Sequence, residues 1–306
     1  MQKPPFIAVV VATHRRPDKL HSLLLTLAQS TAPIGIVIVD NADDQETARV
    51  VESFTAFEAV RALPGDNLGC GGGLAFGQKE ALARWGERIT HLATMDDDAE
   101  LCPDALEKLV TAMEAEGAIL ACPMVLGPTG ETGWHPGFLE RKPFDYIRGL
   151  YPPFSRENYL ALFGSSPRPI YFATGVTVVV DRRAFDELGS PATDYWVQGE
   201  DIEYSLRYTA RGKGIFVPEA VIRHLPPPVQ PSPEGLRLAR SKELAMLQNC
   251  TYISFRLPHG RRALRHLPGN FYRAWRNWGI SALPRMLRAF CRGAVLGKPA
   301  GATPRL

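Results

Sequence analysis

Three consecutive aspartates, Asp96, Asp97 and Asp98, end the apolar segment His91-Leu-Ala-Thr-Met95, and no basic residue lies near enough in sequence to neutralise them. Side chains alternate along an extended chain, so Asp96 and Asp98 would share one side, about 6 to 7 Å apart along the strand. Two hard oxygen donors converging there suit Mg2+ or Mn2+. Further on, Trp196-Val-Gln-Gly-Glu200-Asp201-Ile-Glu203-Tyr204 opens a helix with two acids in its first turn. Complementarity to the helix dipole, worth roughly 0.3 to 1 kcal/mol, accounts for the acids but not for the tryptophan before them. An aromatic face beside a carboxylate stacks a sugar ring while its hydroxyls are hydrogen-bonded, and Asp201 could then remove a hydroxyl proton. His224 ends a short apolar strand, Val221-Ile-Arg-His224, and becomes a third metal ligand if that strand lies beside Asp96 and Asp98.

The elements that must position these groups alternate. Phe6 to Ala12 is a continuous apolar run of the kind found in a buried parallel strand, and Pro17 to Gln29 reads as a helix with Leu20, Leu23, Leu24 and Leu27 on one face. Strands follow at Ile34 to Val39, Ala59 to Ala62, His91 to Met95 and Ala118 to Val125, with helices at Asp44 to Phe54, Gly73 to Trp85 and Pro103 to Glu116 between them. Such alternation predicts an α/β sheet whose ligands gather outside the carboxyl ends of the strands. Thr13-His14-Arg15, Asp40-Asn41, Asn67 and the aspartates all fall at such ends. The glycines of Asn67-Leu-Gly69-Cys-Gly71-Gly-Gly73 permit close backbone approach to a diphosphate and lead into a helix whose N-terminus favours anions.

Beyond the alternating region the chain becomes irregular and aromatic, with Trp134, Phe138, Phe144, Tyr146, Tyr151, Phe154, Tyr159 and Phe163 among Gly and Pro. That excursion is read as a cover for a site or a wall of an acceptor groove. Tyr171 to Val180 is predicted as one strand interrupted by Gly175, followed by a short helix at Arg182 to Leu188. Pro226 to Pro228, Pro231 and Pro233 mark a boundary, so residues 1–230 are expected to form one domain that carries the candidate site, with halves of about 1–125 and 126–230, and 231–306 a C-terminal region.

Composition sets the class. The 306 residues are 45% apolar and 22% charged, which fits a folded domain with an appendage. Five cysteines without CxxC spacing argue against a disulfide framework or zinc knuckle and fit a reducing cytoplasm, and no segment reads as a signal peptide or transmembrane helix. The net charge of +3 hides a division: residues 231–306 carry 14 Lys/Arg against 2 Asp/Glu, a local charge of +12 against −9 for the rest. Arg261, Arg262, Arg265, Arg273, Arg276, Arg285, Arg288 and Arg292 interleave with Phe271, Tyr272, Trp275, Trp278, Leu283, Leu287 and Phe290. This basic amphipathic helical pattern suits an anionic membrane surface, where each basic residue contributes roughly 1 kcal/mol. Packing on the catalytic domain or self-association is the alternative, and no motif supports nucleic acid.

The order of these motifs resembles family 2 inverting glycosyltransferases of the GT-A fold. Thr13-His-Arg15, Asp40-Asn41, Asn67 to Gly73, Met95-Asp-Asp-Asp98, Trp196 through Asp201, and His224 carry the likeness, over about residues 6–228. The Asp-Asp-Asp form and the glycine segment look most like bacterial galactofuranosyltransferases and rhamnosyltransferases of cell-surface polysaccharide synthesis, with the Met before the aspartates favouring galactofuranose. The resemblance implies a nucleotide-sugar donor, UDP-galactofuranose or else dTDP-rhamnose, and a glycan or lipid-linked acceptor. It implies that Asp40 accepts from the base, with Thr13 and Arg15 lining that pocket, and that Asn67, Gly69 and Gly71 lie beside the donor. Asp97 is then expected on the donor sugar or ribose, Asp96, Asp98 and His224 on Mg2+ or Mn2+, and Asp201 as the base. Glu200, Trp196 and Tyr195 are expected to position the acceptor. Independently of the resemblance, the cysteine usage and the basic tail predict a cytoplasmic enzyme, peripheral on the inner face of the membrane. A sugar-nucleotide pyrophosphorylase would carry a glycine-rich loop where this chain has Thr-His-Arg-Arg-Pro, and a non-catalytic binding module would have no need of Asp201 beside the metal acids.

Overall fold

The computed structural model describes residues 4–54, 58–139, 154–226, 233–261, 264 and 267–295. The expectations for Phe144, Tyr146, Tyr151, Arg262 and Arg265, and the boundary at Gln230, lie outside the described residues. One half follows the predicted alternation: β1 (Ile7–Thr13), α1 (Pro17–Leu27), β2 (Ile34–Asp40), α2 (Gln45–Ser53), β3 (Glu58–Ala62), α3 (Gly69–Trp85) and β4 (His91–Asp96). The four strands run parallel in the order β3-β2-β1-β4. Their apolar runs are buried on both faces, and Leu20, Leu23, Leu24 and Leu27 of α1 pack on Ile7, Val9 and Val11. The register of β1 on β4 aligns Ala12 with Asp96, so the ends of both strands open onto the same edge.

The other half departs from simple alternation. After β5 (Ala99–Leu101), α4 (Ala105–Glu116) and β6 (Leu120–Leu126) come two short strands, β7 (Thr132–Gly133) and β8 (Gly137–Phe138), and α5 (Arg156–Phe163). The segment expected as one strand across Gly175 is two, β9 (Arg168–Phe172) and β10 (Thr177–Asp181). They occupy different places: β10 inserts antiparallel between β4 and β6, while β9 lies beyond β11 (Gly214–His224). The break has a cause in α7 (Glu200–Thr209), which follows α6 (Arg182–Leu188). Ser205 Oγ accepts from Ala173 N at 3.0 Å and Asp201 Oδ2 from Gly175 N at 2.8 Å. Side chains of α7 thus take the backbone donors that a continuous strand would need.

Among the described residues three α-helices come last: α8 (Pro233–Arg256), α9 (Leu267–Trp278) and α10 (Leu283–Ala294). Cys250 and Ile253 of α8 share a core with Tyr171, Phe172, Tyr195, Ile202 and Leu206, so this helix is packed into the region around α7. His259 Nε2 lies 3.5 Å from buried Glu203 of α7, which also pairs with Arg207 at 2.9 Å. Ala274, Met286 and Ala289 of the last two helices, with Ala282 between them, cover Leu247 of α8. Among the described residues no helix is long and apolar enough to cross a membrane.

Candidate active site

Asp96, Asp98 and His224 each offer a ligand atom, and those atoms lie within 4.8 Å of one another. The pleat of a strand does not bring them together, because Asp96 ends β4 and Asp97 and Asp98 form a turn into β5. β5, which has no strong sequence signal at three residues, pairs antiparallel with β11 and sets His224 opposite Ala99. His224 Nε2 then stands 2.9 Å from Asp98 and 3.7 Å from Asp96. The imidazole stacks edge-on against Trp134, with ring centroids 4.4 Å apart, and its buried Nδ1 has no protein partner. Two carboxylates and one imidazole are donors that Mg2+ or Mn2+ accepts, and the site fits either ion.

Sequence proximity was a poor guide to what balances the aspartates. Arg16 donates Nη1 to Asp97 and Nη2 to Asp98, the latter at 2.8 Å, across about eighty residues of chain. Thr13 Oγ1 donates to Asp97 at 2.7 Å. The signal was present in the pairing of β1 with β4, which places the residues after Thr13 beside the aspartate turn. Burial raises Asp98, but the His224 hydrogen bond and the charges of His224 and Arg16 outweigh it and hold the carboxyl at about 2. Asp96 is pushed up to about 8, by burial first and by its acidic neighbours, with only partial relief from His224. A carboxyl this reluctant to ionise must release its proton to bind a cation. Mn2+ affinity should therefore rise with pH, about tenfold per unit below pH 8 and flat above it, as calorimetric titrations across pH would show. An affinity independent of pH from 6 to 8 would show that metal binding displaces no proton from Asp96.

Asp96 also lines a narrow cleft with Cys70, Thr94, Gly175, Glu200, Asp201 and Tyr204. Gly175, in the turn between β9 and β10, is close enough that a Cβ there would meet Asp201 Cβ at 3.0 Å. Burial raises both Glu200 and Asp201, and the charge of Asp201 helps push Glu200 up to about 7. The two carboxyls are not equivalent. Asp201 accepts from Gly175 N and Ile202 N, both at 2.8 Å, which favours its charged form. Glu200 Oε2 is buried with no protein partner, while the carboxyl also meets the Cys70 thiol and its own backbone N–H. The backbone donors on Asp201 favour the charged form there over that at Glu200.

The glycine run makes room for protein. α3 begins at Gly69 instead of Gly73, so the glycines form its first turn. A Cβ on Gly69 would come within 2.5 Å of the Trp196 carbonyl, and one on Gly71 within 2.7 Å of the Ala192 carbonyl and 2.9 Å of that of Tyr195. Cys70 N donates to Trp196 O at 2.9 Å, tying this turn to the loop before α7. Trp196 is half-buried over Gly69. Tyr195, expected at the acceptor, instead points inward: it is buried in a core with Phe172, Ile202 and Cys250, where its ring supports the loop from beneath.

The residues expected around a base are dispersed along the neighbouring strand ends. Asp40 is buried and accepts from Ala42 N at 3.0 Å, Asp44 N at 2.8 Å and Arg61 Nη2 at 2.7 Å, so its carboxylate shapes the turn after β2. Arg15 is exposed with φ 53°, and Asn67 is exposed with its side-chain Oδ1 accepting from Gly69 N at 3.0 Å. Asn41 joins the two regions by accepting from Leu68 N at 3.1 Å.

A residue of the C-terminal helices also reaches the site. Asn249 of α8 is fully buried and donates Nδ2 to Gln198 O at 2.5 Å and Val197 O at 3.4 Å. It thereby holds a loop whose Gln198 and Gly199 have φ of 67° and 101°. Asn249→Ala should lower activity about tenfold and the melting temperature by a few degrees, since it orphans buried carbonyls at about 1–3 kcal/mol. Unchanged kinetics would mean that α8 is only a cover.

Residues 8–189 match the family model described as glycosyl transferase family 2. No curated protein matches the chain. Among solved structures, it is similar to S. aureus TarS 1-349, at 14% identity over 94% of this chain and 81% of that one, with a TM-score of 0.58. The same protein is also solved in complex with UDP-GlcNAc. The mannosyltransferase PcManGT from Pyrobaculum calidifontis, solved with GDP-Man and Mn2+, shares 16% identity over 98% of this chain and 77% of that one, with a TM-score of 0.55. GalNAc-T7, solved with UDP, GalNAc and Mn2+, shares 15% over 91% of this chain and 57% of that one, at 0.55. The architecture is the GT-A fold that the motifs lead one to expect.

Proposed function

This chain belongs to glycosyl transferase family 2, and we propose that within it the protein is a metal-dependent, inverting transferase. Its donor is UDP-galactofuranose, and its acceptor a glycan or lipid-linked glycan of cell-surface polysaccharide synthesis. The observation that carries this reading is a shared cleft: Asp96, one of three clustered metal donors, lines it together with Glu200 and Asp201. A leaving-group site and a base site therefore adjoin. The nucleotide-sugar complexes of structures with the same fold support a nucleotide-sugar donor. The Met95-Asp-Asp-Asp98 and Asn67 to Gly73 segments support galactofuranose.

Breaking a sugar–phosphate bond leaves a nucleoside diphosphate with added negative charge, and Mg2+ or Mn2+ held by Asp96, Asp98 and His224 would supply Lewis-acid stabilisation of that charge. The protein's own groups do the rest. Asp201, the ionised member of its pair, takes the proton of the acceptor hydroxyl as that oxygen attacks the anomeric carbon from the face opposite the diphosphate, inverting it in one displacement. Protonated Glu200 donates to an acceptor oxygen, and Trp196 packs against the acceptor ring. Thr13 and Arg16 hold Asp97 toward the donor sugar or ribose. Asp40, Arg15, Asn67, Gly69 and Gly71 form the nucleotide side, with the turn after β2 kept in shape by Arg61.

A panel of sugar nucleotides with Mn2+, scored for nucleotide release and for the anomeric configuration of the product, tests this reading. The expected result is UDP release from UDP-galactofuranose and a product of opposite configuration. Release from dTDP-rhamnose alone would reassign the donor, and a retained configuration would remove the single displacement.

A further inference from the structure

The three C-terminal helices have an inner and an outer set of side chains. Leu247, Cys250 and Ile253 of α8 face the protein, and Ala274, Met286 and Ala289 close over that helix. The outer set is unusually apolar. Of the fourteen large apolar side chains exposed among the described residues, eight lie between Phe255 and Val295. Four follow one another around the corner between α9 and α10: Trp275 is 52% exposed, Ile280 79%, Leu283 42% and Leu287 50%. Exposed Arg276, Arg285, Arg288 and Arg292 flank them.

Charge identifies what covers this corner. From Leu257 to Leu306 the sequence has ten Lys/Arg and no Asp/Glu. A second copy of the chain brought onto the corner about a two-fold axis would face the same arginines, so like charges would oppose the contact. A nucleic acid would engage the arginines and leave Ile280, Leu283 and Leu287 in water. An anionic phospholipid bilayer satisfies both sets, with phosphates on the guanidinium groups, tryptophan at headgroup level and the aliphatic side chains below it.

We propose that the corner between α9 and α10 is a docking surface for anionic phospholipid bilayers. Docking stands on the surface alone, and it rests on the proposed transfer activity only for its purpose, the delivery of the cleft to a lipid-linked acceptor. The connection to the cleft is short: α9 and α10 pack on α8, and Asn249 of α8 holds the loop that leads into Glu200 and Asp201.

Removing all of 231–306 would strip α8 from the core around Tyr195 and Ile202, so point variants of the full chain are the proper test. Flotation would be measured with phosphatidylcholine vesicles with and without phosphatidylglycerol, at low and high salt. The protein should float only with the phosphatidylglycerol vesicles, and binding should fall about tenfold or more on raising the salt. The triple variant Ile280→Ser, Leu283→Ser, Leu287→Ser and the triple variant Arg276→Gln, Arg285→Gln, Arg288→Gln should each weaken flotation about tenfold. Both should retain nucleotide release without vesicles, because none of these residues touches the cleft. Absence of flotation by the unaltered protein at low salt, or variants that float equally well, would overturn the proposal. So would a dimer, seen by light scattering, that the serine variant splits, or RNA binding that replaces vesicle binding. Loss of nucleotide release by the unaltered protein with intact flotation would strike the transfer reading and leave docking standing.

Discussion

Asp96→Ala or Asp98→Ala is expected to lower turnover by about 1,000-fold or more, and EDTA should do the same to the unaltered protein, because each removes the cation that offsets charge on the departing diphosphate. Several kcal/mol of transition-state stabilisation is at stake, and each 1.36 kcal/mol is worth about tenfold in rate. His224→Ala should be less complete, since two carboxylates remain, and should show as weaker Mn2+ affinity with partial recovery at high Mn2+. Asp98 has a second burden that Asp96 lacks. It accepts from Arg16 and His224 together, so Asp98→Ala also takes a hydrogen-bond partner from buried His224 and one of the two carboxylates from Arg16, and should lower stability as well as activity. Full turnover in EDTA would overturn the metal assignment, and a loss confined to stability would make the triad structural.

Asp201→Asn should leave donor binding intact and lower turnover by about 100-fold or more, because the amide keeps the shape of the carboxylate without its affinity for a proton. Glu200→Gln is the informative companion. With the retained proton on Glu200, the amide reproduces its donor state, so the substitution should cost far less than Asp201→Asn. It should also flatten the pH dependence near 7, where the Glu200 carboxyl would otherwise ionise. If the order of the two losses is reversed, the base is Glu200, whose Oε2 is the oxygen free of protein partners.

Much of the first half was legible because its determinants are local. A strand buried on both faces must be continuously apolar, as Ile7 to Val11 and Ile36 to Val39 are, and a helix on such a sheet must repeat its leucines at helical spacing, as α1 does. The clustering of Asp96, Asp98 and His224 was legible for another reason, that hard donors at strand ends in an α/β sheet share one edge. Their route together was not. It runs through a turn and through β5, three residues that become a strand only because β11 is there to pair with them.

The second half was decided by tertiary contacts. Nothing local separates a strand with a glycine in it from two strands in different parts of a sheet, and here the donors of Ala173 and Gly175 are claimed by Ser205 and Asp201 from a helix that follows in the chain. Tyr195 and Trp196 are adjacent and chemically alike, yet one is packed into the core and the other lies over Gly69. The sequence by itself determined the element types from β1 to β4, the edge where polar groups gather and the basic character of the C-terminal region, all of which depend on periodicity and composition. Only the tertiary structure decided that Arg16 balances Asp97 and Asp98, that the glycine run accommodates the Trp196 loop, and that Asn249 holds that loop. Each of these is a hydrogen bond or a close approach between residues dozens of positions apart, and its energy depends on a geometry of a few ångströms that exists only once the chain is packed.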